Sequence, residues 1–291
     1  MPPPKPDHYL PLIDLARQED LGAGDITSQV TILPEREGRG RLVFRETGIL
    51  CGIPVIEQVL KRYDIKLLLR NSEPEGRRIA EGQTVAEVAG PLIGLLAAER
   101  VMLNFLQRLS GVASLTARYV EAVAGTPTQI YDTRKTTPGW RELEKYAVRT
   151  GGGRNHRHGL YDAVLIKDNH LAALGEMDLS EALREVIGKV GGGGCLPAFI
   201  EVEVDTLDQL REVLSVPDID IVLLDNMSPA ELREAVALRN HLADPSRIQL
   251  EASGGITLSN VRDMAQTGVE RISIGALTHS AANLDISLDL E

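Results

Sequence analysis

AFIEVEVDTLDQLREVLSVPDIDIVLLDN, residues 198–226, carries the pattern that decides the fold. Its first run places Ile200, Val202 and Val204 on one face and Glu201, Glu203 and Asp205 on the other, because side chains alternate along an extended chain. Asp205-Thr206 then opens a helix, and DIVLLDN closes the stretch as a second strand. The same rhythm continues on both sides once the chain has passed Pro127. TQIYD, AVLIK, IQLEASGG and RISIGAL are further runs rich in Ile, Val and Leu. Between them, Ser228-Pro229-Ala230-Glu231 reads as a capping box with Pro at the first helical position, and Thr137-Pro138 and Thr257 mark other helix starts. Alternating strands and helices call for a parallel sheet, and six such strands predict an α/β barrel that is incomplete. The tetraglycine at 191–194 reads as a flexible loop, since no P-loop lysine follows it.

The N-terminal part has a different texture. Residues 7–22 read as a short helix, GAGDITS as a turn in which Asp25 and Ser28 cap the backbone, and residues 39–53 as two strands around a turn at Gly48. Pro54 starts a helix through Tyr63, IKLLLR and TVAEVA are short strands, and EGRRIAEGQTVAEVAGP is strand-turn-strand. Residues 92–124 are helical with a break expected near Ser110-Gly111. LIGLLAAERVMLNFLQRL is apolar on most faces, so Glu99 and Arg100 are costly there unless paired or liganded. The last segment, residues 283–291, is too short for another barrel unit and is expected to pack back on the N-terminal part.

In such barrels the active site lies at the C-terminal ends of the strands. Those ends carry Arg134 and Lys135, then Lys167 and Asp168, Glu203 and Asp205, Asp225 and Asn226, Ser253-Gly254-Gly255, and Gly275-Ala276. Residues 132–170 hold eight Lys and Arg against five Asp and Glu, in a chain with 31 basic and 42 acidic residues. A cationic island in an acidic protein suits a small anionic ligand. Arginine forks grip carboxylates bidentately, so Arg134 and Arg157 suit a ligand with more than one carboxylate. Glu203 and Asp225, from adjacent strands, make a reasonable Mg²⁺ pair; an internal salt bridge from Glu203 or Glu201 to Lys167 or Arg134 is the other reading. The Ser-Gly-Gly and Ile-Gly-Ala ends stand where barrels hold a phosphate on backbone amides, and tight packing is the alternative there. His156 and His158 are conceivable metal ligands, but neither a Glu nor a further His at suitable spacing completes a set, and His158 beside Gly159 reads as a loop residue.

Composition narrows the partners. A net charge of −11 argues against a general nucleic-acid binder, and three Phe, one Trp and six Tyr leave few stacking platforms. No apolar run nears the roughly 20 residues needed to span a bilayer. MPPPKPDHYL lacks the apolar core of a secretion signal, so a cytoplasmic protein without membrane partners is expected. Cys51 and Cys195 are far apart and suggest neither a disulfide framework nor a zinc site.

The block DTRKTTPGWRELEKYAVRTGGGRNHRHGLYDAVLIKDNH closely resembles the signature of the quinolinate phosphoribosyltransferases, the carboxylating nicotinate-nucleotide pyrophosphorylases. EDLGAGDITS, ERVMLNFLQRLSGVAS, EVEVD, LLDN, LEASGGI and ISIGALTHSA extend the likeness over nearly the whole chain. The resemblance implies an N-terminal α/β sandwich domain (residues 1–112, joined by 279–291) and an open α/β barrel catalytic domain (113–278). It implies conversion of quinolinate and phosphoribosyl pyrophosphate to nicotinate mononucleotide, CO₂ and pyrophosphate, with Mg²⁺, in de novo NAD synthesis. Arg134, Lys135, Thr136, Arg157 and Lys167, with His156 and Arg100, would then line the quinolinate pocket. Glu203 and Asp225 would face the ribose and the metal pyrophosphate, the metal held directly or indirectly, and Lys135 and Lys167 would be candidates to protonate the carbanion. Ser253, Gly254, Gly255, Ile274, Gly275 and Ala276 would hold the 5′-phosphate. The resemblance also implies a homodimer, or an assembly of dimers, in which Arg100 reaches the partner's pocket. Two other readings are a Schiff-base aldolase built on Lys167, and a non-catalytic relative acting as an accessory protein.

Overall fold

The computed structural model describes residues 2–64, 66–172, 177–190, 196–244 and 247–291. Ile65, the tetraglycine at 191–194 and Cys195 lie outside these residues. The chain forms two compact units, one made of Met1–Ala117, Lys135–Gly153 and Ala276–Glu291, the other of Arg118–Arg134 and Arg154–Gly275. Among the described residues no helix is long and apolar enough to cross a membrane.

The first unit holds β1 (Glu37–Phe44), β2 (Gly48–Ile49), β3 (Leu68–Arg70), β4 (Arg78–Ile79) and β5 (Thr84–Pro91). After the second unit's strands the chain returns to add β12 (Ile286–Leu290), giving an antiparallel sheet in the order β12-β1-β5-β3. The closing segment therefore packs on the N-terminal part, as expected. The hairpin around Gly48 does not form. Both edges of β1 are already paired, to β5 and β12, so β2 pairs instead with β4 in a separate two-stranded sheet. β4 and β5 stand on either side of a turn at residues 81–82, the expected strand-turn-strand, but pair in different sheets.

Helix Ile26–Thr31 replaces the expected turn at GAGDITS, and Asp25 caps it by accepting from the Ser28 amide at 3.0 Å. Helix Ile53–Tyr63 has Gly52 at its N-cap, with no side chain to accept the first amides. Glu75 does so from a distance, accepting from the amides of Gly52 (2.9 Å) and Ile53 (2.7 Å) and from the Tyr146 hydroxyl (2.6 Å).

Helix Leu92–Ala122 runs without the expected break. Ser110 is fully buried, and its hydroxyl exchanges hydrogen bonds with the backbone of Cys51 at 3.1 and 3.2 Å. Gly111 is needed for contact, not for a bend. A Cβ there would lie 2.0 Å from the Ala282 carbonyl oxygen. The helix is also not apolar all round: Leu95, Ala98, Met102 and Leu106 are buried, whereas Arg100 and Asn104 are exposed. Exposure removes the cost that a buried Arg100 would have carried.

The second unit is a parallel sheet of six strands: β6 (Gln129–Tyr131), β7 (Val164–Ile166), β8 (Ile200–Val204), β9 (Ile221–Asp225), β10 (Gln249–Ser253) and β11 (Arg271–Ser273). Their order is β6-β11-β10-β9-β8-β7, so the first strand joins beyond the last, as in a closed barrel. No pairing links β6 to β7 among the described residues, and the barrel is open there. Capping boxes open helices Leu207–Leu214 (Thr206 with Gln209) and Pro229–Leu242 (Ser228 with Glu231), as expected. Two other helices start later than expected. Thr137 begins a turn, with Gly139 at φ +82°, and helix Arg141–Thr150 follows it in the first unit. Likewise the Thr257 amide binds the Asn260 side chain at 2.8 Å before helix Val261–Ala265 begins. Beneath the sheet, the buried Arg239 bonds to Glu270 (2.8 Å) and to the Ile248 carbonyl (2.7 Å), joining the N-terminal ends of β10 and β11.

Replacing an unhindered helical Gly with Ala stabilises a protein by about 1 kcal/mol. Gly111→Ala is expected to do the reverse, costing about 1–3 kcal/mol because the added methyl must displace backbone. Urea denaturation measures it, and an unchanged or raised midpoint would rule out the close approach to Ala282.

Candidate active site

Strand register sets the inner face before any side chain is considered. Glu203 and Glu251 both stand opposite Leu223, Ser253 is opposite Asp225, Glu251 is opposite Arg271, and Glu201 is opposite Leu165. With a period of two, Glu201, Glu203, Asp225, Glu251, Ser253 and Arg271 therefore share one face, and Lys167 follows Leu165 on the same side. Four carboxylates and a guanidinium on the interior of a sheet must satisfy one another or a ligand.

The deeper ones lie against one another, though both Glu201 oxygens, Glu251 Oε1 and Arg271 Nη2 are buried without a well-formed hydrogen bond. Glu201 and Glu251 are fully buried, and His156 and Arg271 are buried between them. His156 Nε2 lies 2.8 Å from Glu201 and 3.5 Å from Glu251, and Arg271 Nε donates to Glu251 at 2.6 Å. The Arg271 guanidinium also stacks 3.7 Å over the Tyr131 ring. Burial opposes a charge on His156, but the hydrogen bond to Glu201 and the Glu251 and Glu201 charges outweigh it, so its pKa is raised. Burial and the Glu251 charge raise Glu201 in turn. Both shifts keep a proton in the His156–Glu201 pair. His156 Nδ1 accepts from the Arg157 amide at 2.8 Å, which leaves Nε2–H to face Glu201.

This corrects two expectations. Glu201 pairs with His156, where a lysine or arginine was the expected partner. His156 does have carboxylates within ligand distance, supplied by Glu201 and Glu251, a trio that spacing along the chain conceals. One cation already lies against the trio, the Arg271 guanidinium that donates to Glu251.

Asp132, directly after β6 and fully buried, sets the loop that carries His156 and Arg157. Its carboxylate accepts from the His156 amide at 2.8 Å and from Asn155 Nδ2 at 2.6 Å. Asp162 holds the next turn by accepting from the amides of His158 (2.7 Å) and Gly159 (2.9 Å), leaving His158 in a loop as expected. Arg157 is 8% exposed, and its Nη1 donates to the Ala163 carbonyl at 3.2 Å. Its pKa is lowered, first by burial and then by the charge of Arg134, while the Glu201 and Asp162 carboxylates act in the opposite direction.

Higher on the rim, Lys167 contacts Glu203, one of the two partners the sequence allowed. Asp225 ends β9, and Asn226, at φ +54°, donates to its carboxylate at 2.7 Å. Ser253 ends β10, and its carbonyl accepts from the Asn226 amide at 2.9 Å. Gly254 (φ +91°) must be glycine, because a Cβ would lie 2.1 Å from Asn226 Oδ1; Gly255 follows at φ +59° with open space beside it. Ile274 and Gly275 follow β11, and the Ile274 amide donates to the Tyr131 carbonyl at 3.0 Å. Thus Arg134, His156, Arg157, Lys167, Glu203, Asp225, Ser253, Gly254, Gly255, Ile274 and Gly275 belong to the barrel unit, while Arg100, Lys135, Thr136 and Ala276 belong to the first unit. There Lys135 and Arg100 are exposed, Thr136 accepts from Arg141 Nε at 3.1 Å, and Ala276 starts the short helix Ala276–His279.

The sequence reading missed Asp132, Glu251 and Arg271. A signal for the last two was present: Glu251 stands two residues before Ser253 on the same face, and Arg271 opens the neighbouring strand. Asp132 gave none, since an acid after a strand is common.

Residues 25–110 match the family described as quinolinate phosphoribosyl transferase, N-terminal domain, and residues 112–289 match its C-terminal domain. The chain is 42% identical over 273 residues to the probable nicotinate-nucleotide pyrophosphorylase [carboxylating] of Bacillus subtilis, covering 94% of this chain and 90% of that one. It is 43% identical over 280 residues to the nicotinate-nucleotide pyrophosphorylase [carboxylating] of Mycobacterium leprae, covering 94% of each. Among solved structures, NadC from Streptococcus pyogenes superposes with a TM-score of 0.91 at 35% identity, covering 100% of this chain and 99% of that one. Sequence, domain content and fold agree over almost the full length: the chain belongs to the quinolinate phosphoribosyl transferase family.

Proposed function

We infer that this chain joins quinolinate to phosphoribosyl pyrophosphate, giving nicotinate mononucleotide, CO₂ and pyrophosphate, a decarboxylating step of NAD synthesis. Family membership supports the reaction, and one observation supports the substrate: Arg157, nearly buried, is crowded by Arg134 on the same unit. A dianion with adjacent carboxylates relieves that crowding, and guanidinium forks suit its planar oxygens.

The pyridine nitrogen attacks the anomeric carbon, and the bond to pyrophosphate breaks with its electron pair leaving on the phosphate oxygen. Positive charge develops on the ribose meanwhile. Glu203 and Asp225, on one face at the ends of adjacent strands, are the carboxylates we assign to stabilise it. They also fit a hard divalent cation, being oxygen donors of which Asp225 is only half-buried. Mg²⁺ held there with the substrate's phosphates would neutralise the leaving pyrophosphate. Ser253, Gly254, Gly255, Ile274, Gly275 and Ala276 are assigned to the 5′-phosphate.

Once alkylated, the ring nitrogen is cationic and acts as an electron sink. The bond to the adjacent carboxylate breaks, CO₂ leaves, and the electron pair stays on the ring carbon until a proton replaces it. Lys135 and Lys167 are assigned as its sources. Arg134, Thr136, His156 and Arg157 hold the dicarboxylate in one orientation meanwhile. Arg100, exposed on its own helix, is assigned to the pocket of a second copy in a two-fold dimer.

The reaction is tested by following pyrophosphate and CO₂ release. Turnover with quinolinate and little or none with nicotinate is expected, because one carboxylate does not need this many cations. Equal rates with the two acids would overturn the substrate assignment.

Arg157→Ala should abolish quinolinate binding in a calorimetric titration while the protein stays folded. Wild-type affinity in that variant would remove Arg157 from the pocket.

Arg100→Ala and Lys167→Ala should each be inactive. Unfolded and refolded together they should regain about a quarter of wild-type activity, since half the dimers are mixed and each mixed dimer has one intact site of two. A dead mixture with mixed dimers confirmed would mean that Arg100 serves its own subunit.

A further inference from the structure

Lys135 and Thr136 lie in an irregular stretch of the first unit, between β6 and helix Arg141–Thr150, where no regular ladder fixes the backbone. Something else must fix it if Lys135 is to meet a substrate at one place. Thr278, fully buried in helix Ala276–His279, donates from Oγ1 to the Lys135 carbonyl at 2.7 Å. At the other end of the stretch the fully buried Glu144 accepts from the Thr137 amide (3.0 Å) and hydroxyl (2.9 Å).

Arg108 ties the two anchors together. Its Nη2 donates to Glu144 at 2.6 Å and also to the Thr278 carbonyl, and its Nη1 donates to the Ala281 carbonyl at 2.7 Å. Charge-assisted bonds of this kind are about twice as strong as neutral ones, and burial protects them from water. One guanidinium thus couples the carboxylate at the Thr137 end to the helix that holds the Lys135 end. None of these side chains belongs to the assigned substrate-binding set.

We propose that Thr278, locked by the Arg108–Glu144 pair, is a positioning residue that sets the backbone of Lys135 and so the affinity for the quinolinate dianion. The proposal rests on the quinolinate reading above, and it adds a specific element: affinity is limited by a hydrogen bond to a main-chain carbonyl whose donor does not touch the ligand.

Thr278→Val keeps the side-chain shape and deletes the donor, while Thr278→Ser keeps the donor and deletes a methyl. Both are compared with the wild type by calorimetric binding of quinolinate, by separate KM values for quinolinate and phosphoribosyl pyrophosphate, and by thermal unfolding. Quinolinate binding by the wild type is the control for the underlying reading; its failure there sinks that reading, whatever the variants do. Thr278→Val is expected to weaken quinolinate binding about tenfold, in keeping with the loss of one buried hydrogen bond. The KM for phosphoribosyl pyrophosphate should not move, and Thr278→Ser should behave like the wild type. A cycle with Lys135→Ala carries the decision even if Thr278→Val lowers thermal stability. In the Lys135→Ala background Thr278→Val should weaken quinolinate binding no further. A tenfold loss that persists without the Lys135 side chain, equal loss for both substrates, or unchanged quinolinate affinity in Thr278→Val would each overturn the proposal.

Discussion

Charge inside a parallel sheet is the constraint on which this structure depends. The inner face of the barrel carries Glu201, Glu203, Asp225, Glu251 and Arg271, in surroundings where an unpaired ion is several kcal/mol too costly. The solution is layered. At depth, His156 and Arg271 lie against Glu201 and Glu251; nearer the rim, Lys167 meets Glu203. Asp132 fastens the His156 amide, so the loop carrying His156 and Arg157 is fixed from below by the same ionic layer. Arg157 departs from this order, since burial and Arg134 both bear against its charge.

Burial of a cation does not by itself mark a ligand site. Arg239 is almost fully buried, yet it bonds to Glu270 and the Ile248 carbonyl at the N-terminal ends of the strands, away from the rim where such folds do chemistry. Arg108 is likewise engaged, by Glu144 and by two carbonyls. Arg157 differs in that a like charge, Arg134, bears against it alongside the Glu201 and Asp162 carboxylates.

The two glycines that matter most do different work. Gly254 combines a left-handed backbone with a side-chain oxygen where its Cβ would stand, so the turn after β10 closes against Asn226 at the end of β9. Gly111 sits in ordinary helix and is required because the Ala282 carbonyl passes too close for a methyl. The first is a constraint of conformation and the second of distance, and only the first leaves a mark in the local sequence.

The sequence by itself determined the six parallel strands, the residues at their ends and the face each occupies, because alternation along a strand is a local property. It also determined the capping boxes at Thr206 and Ser228, where hydroxyl and partner lie three residues apart. Tertiary structure alone decided whatever depends on a partner distant in the chain. Residues 39–53 read as a hairpin until β5 and β12, some 40 to 250 residues away, take both edges of β1. Gly111 read as a break until Ala282 arrives. His156 read as a histidine without a ligand set until register brings Glu201 and Glu251 within 4.8 Å of it and of each other. Local pattern fixes which way a side chain points, but which charge it meets is set by the closing of the sheet, and that is where the chemistry of this face was decided.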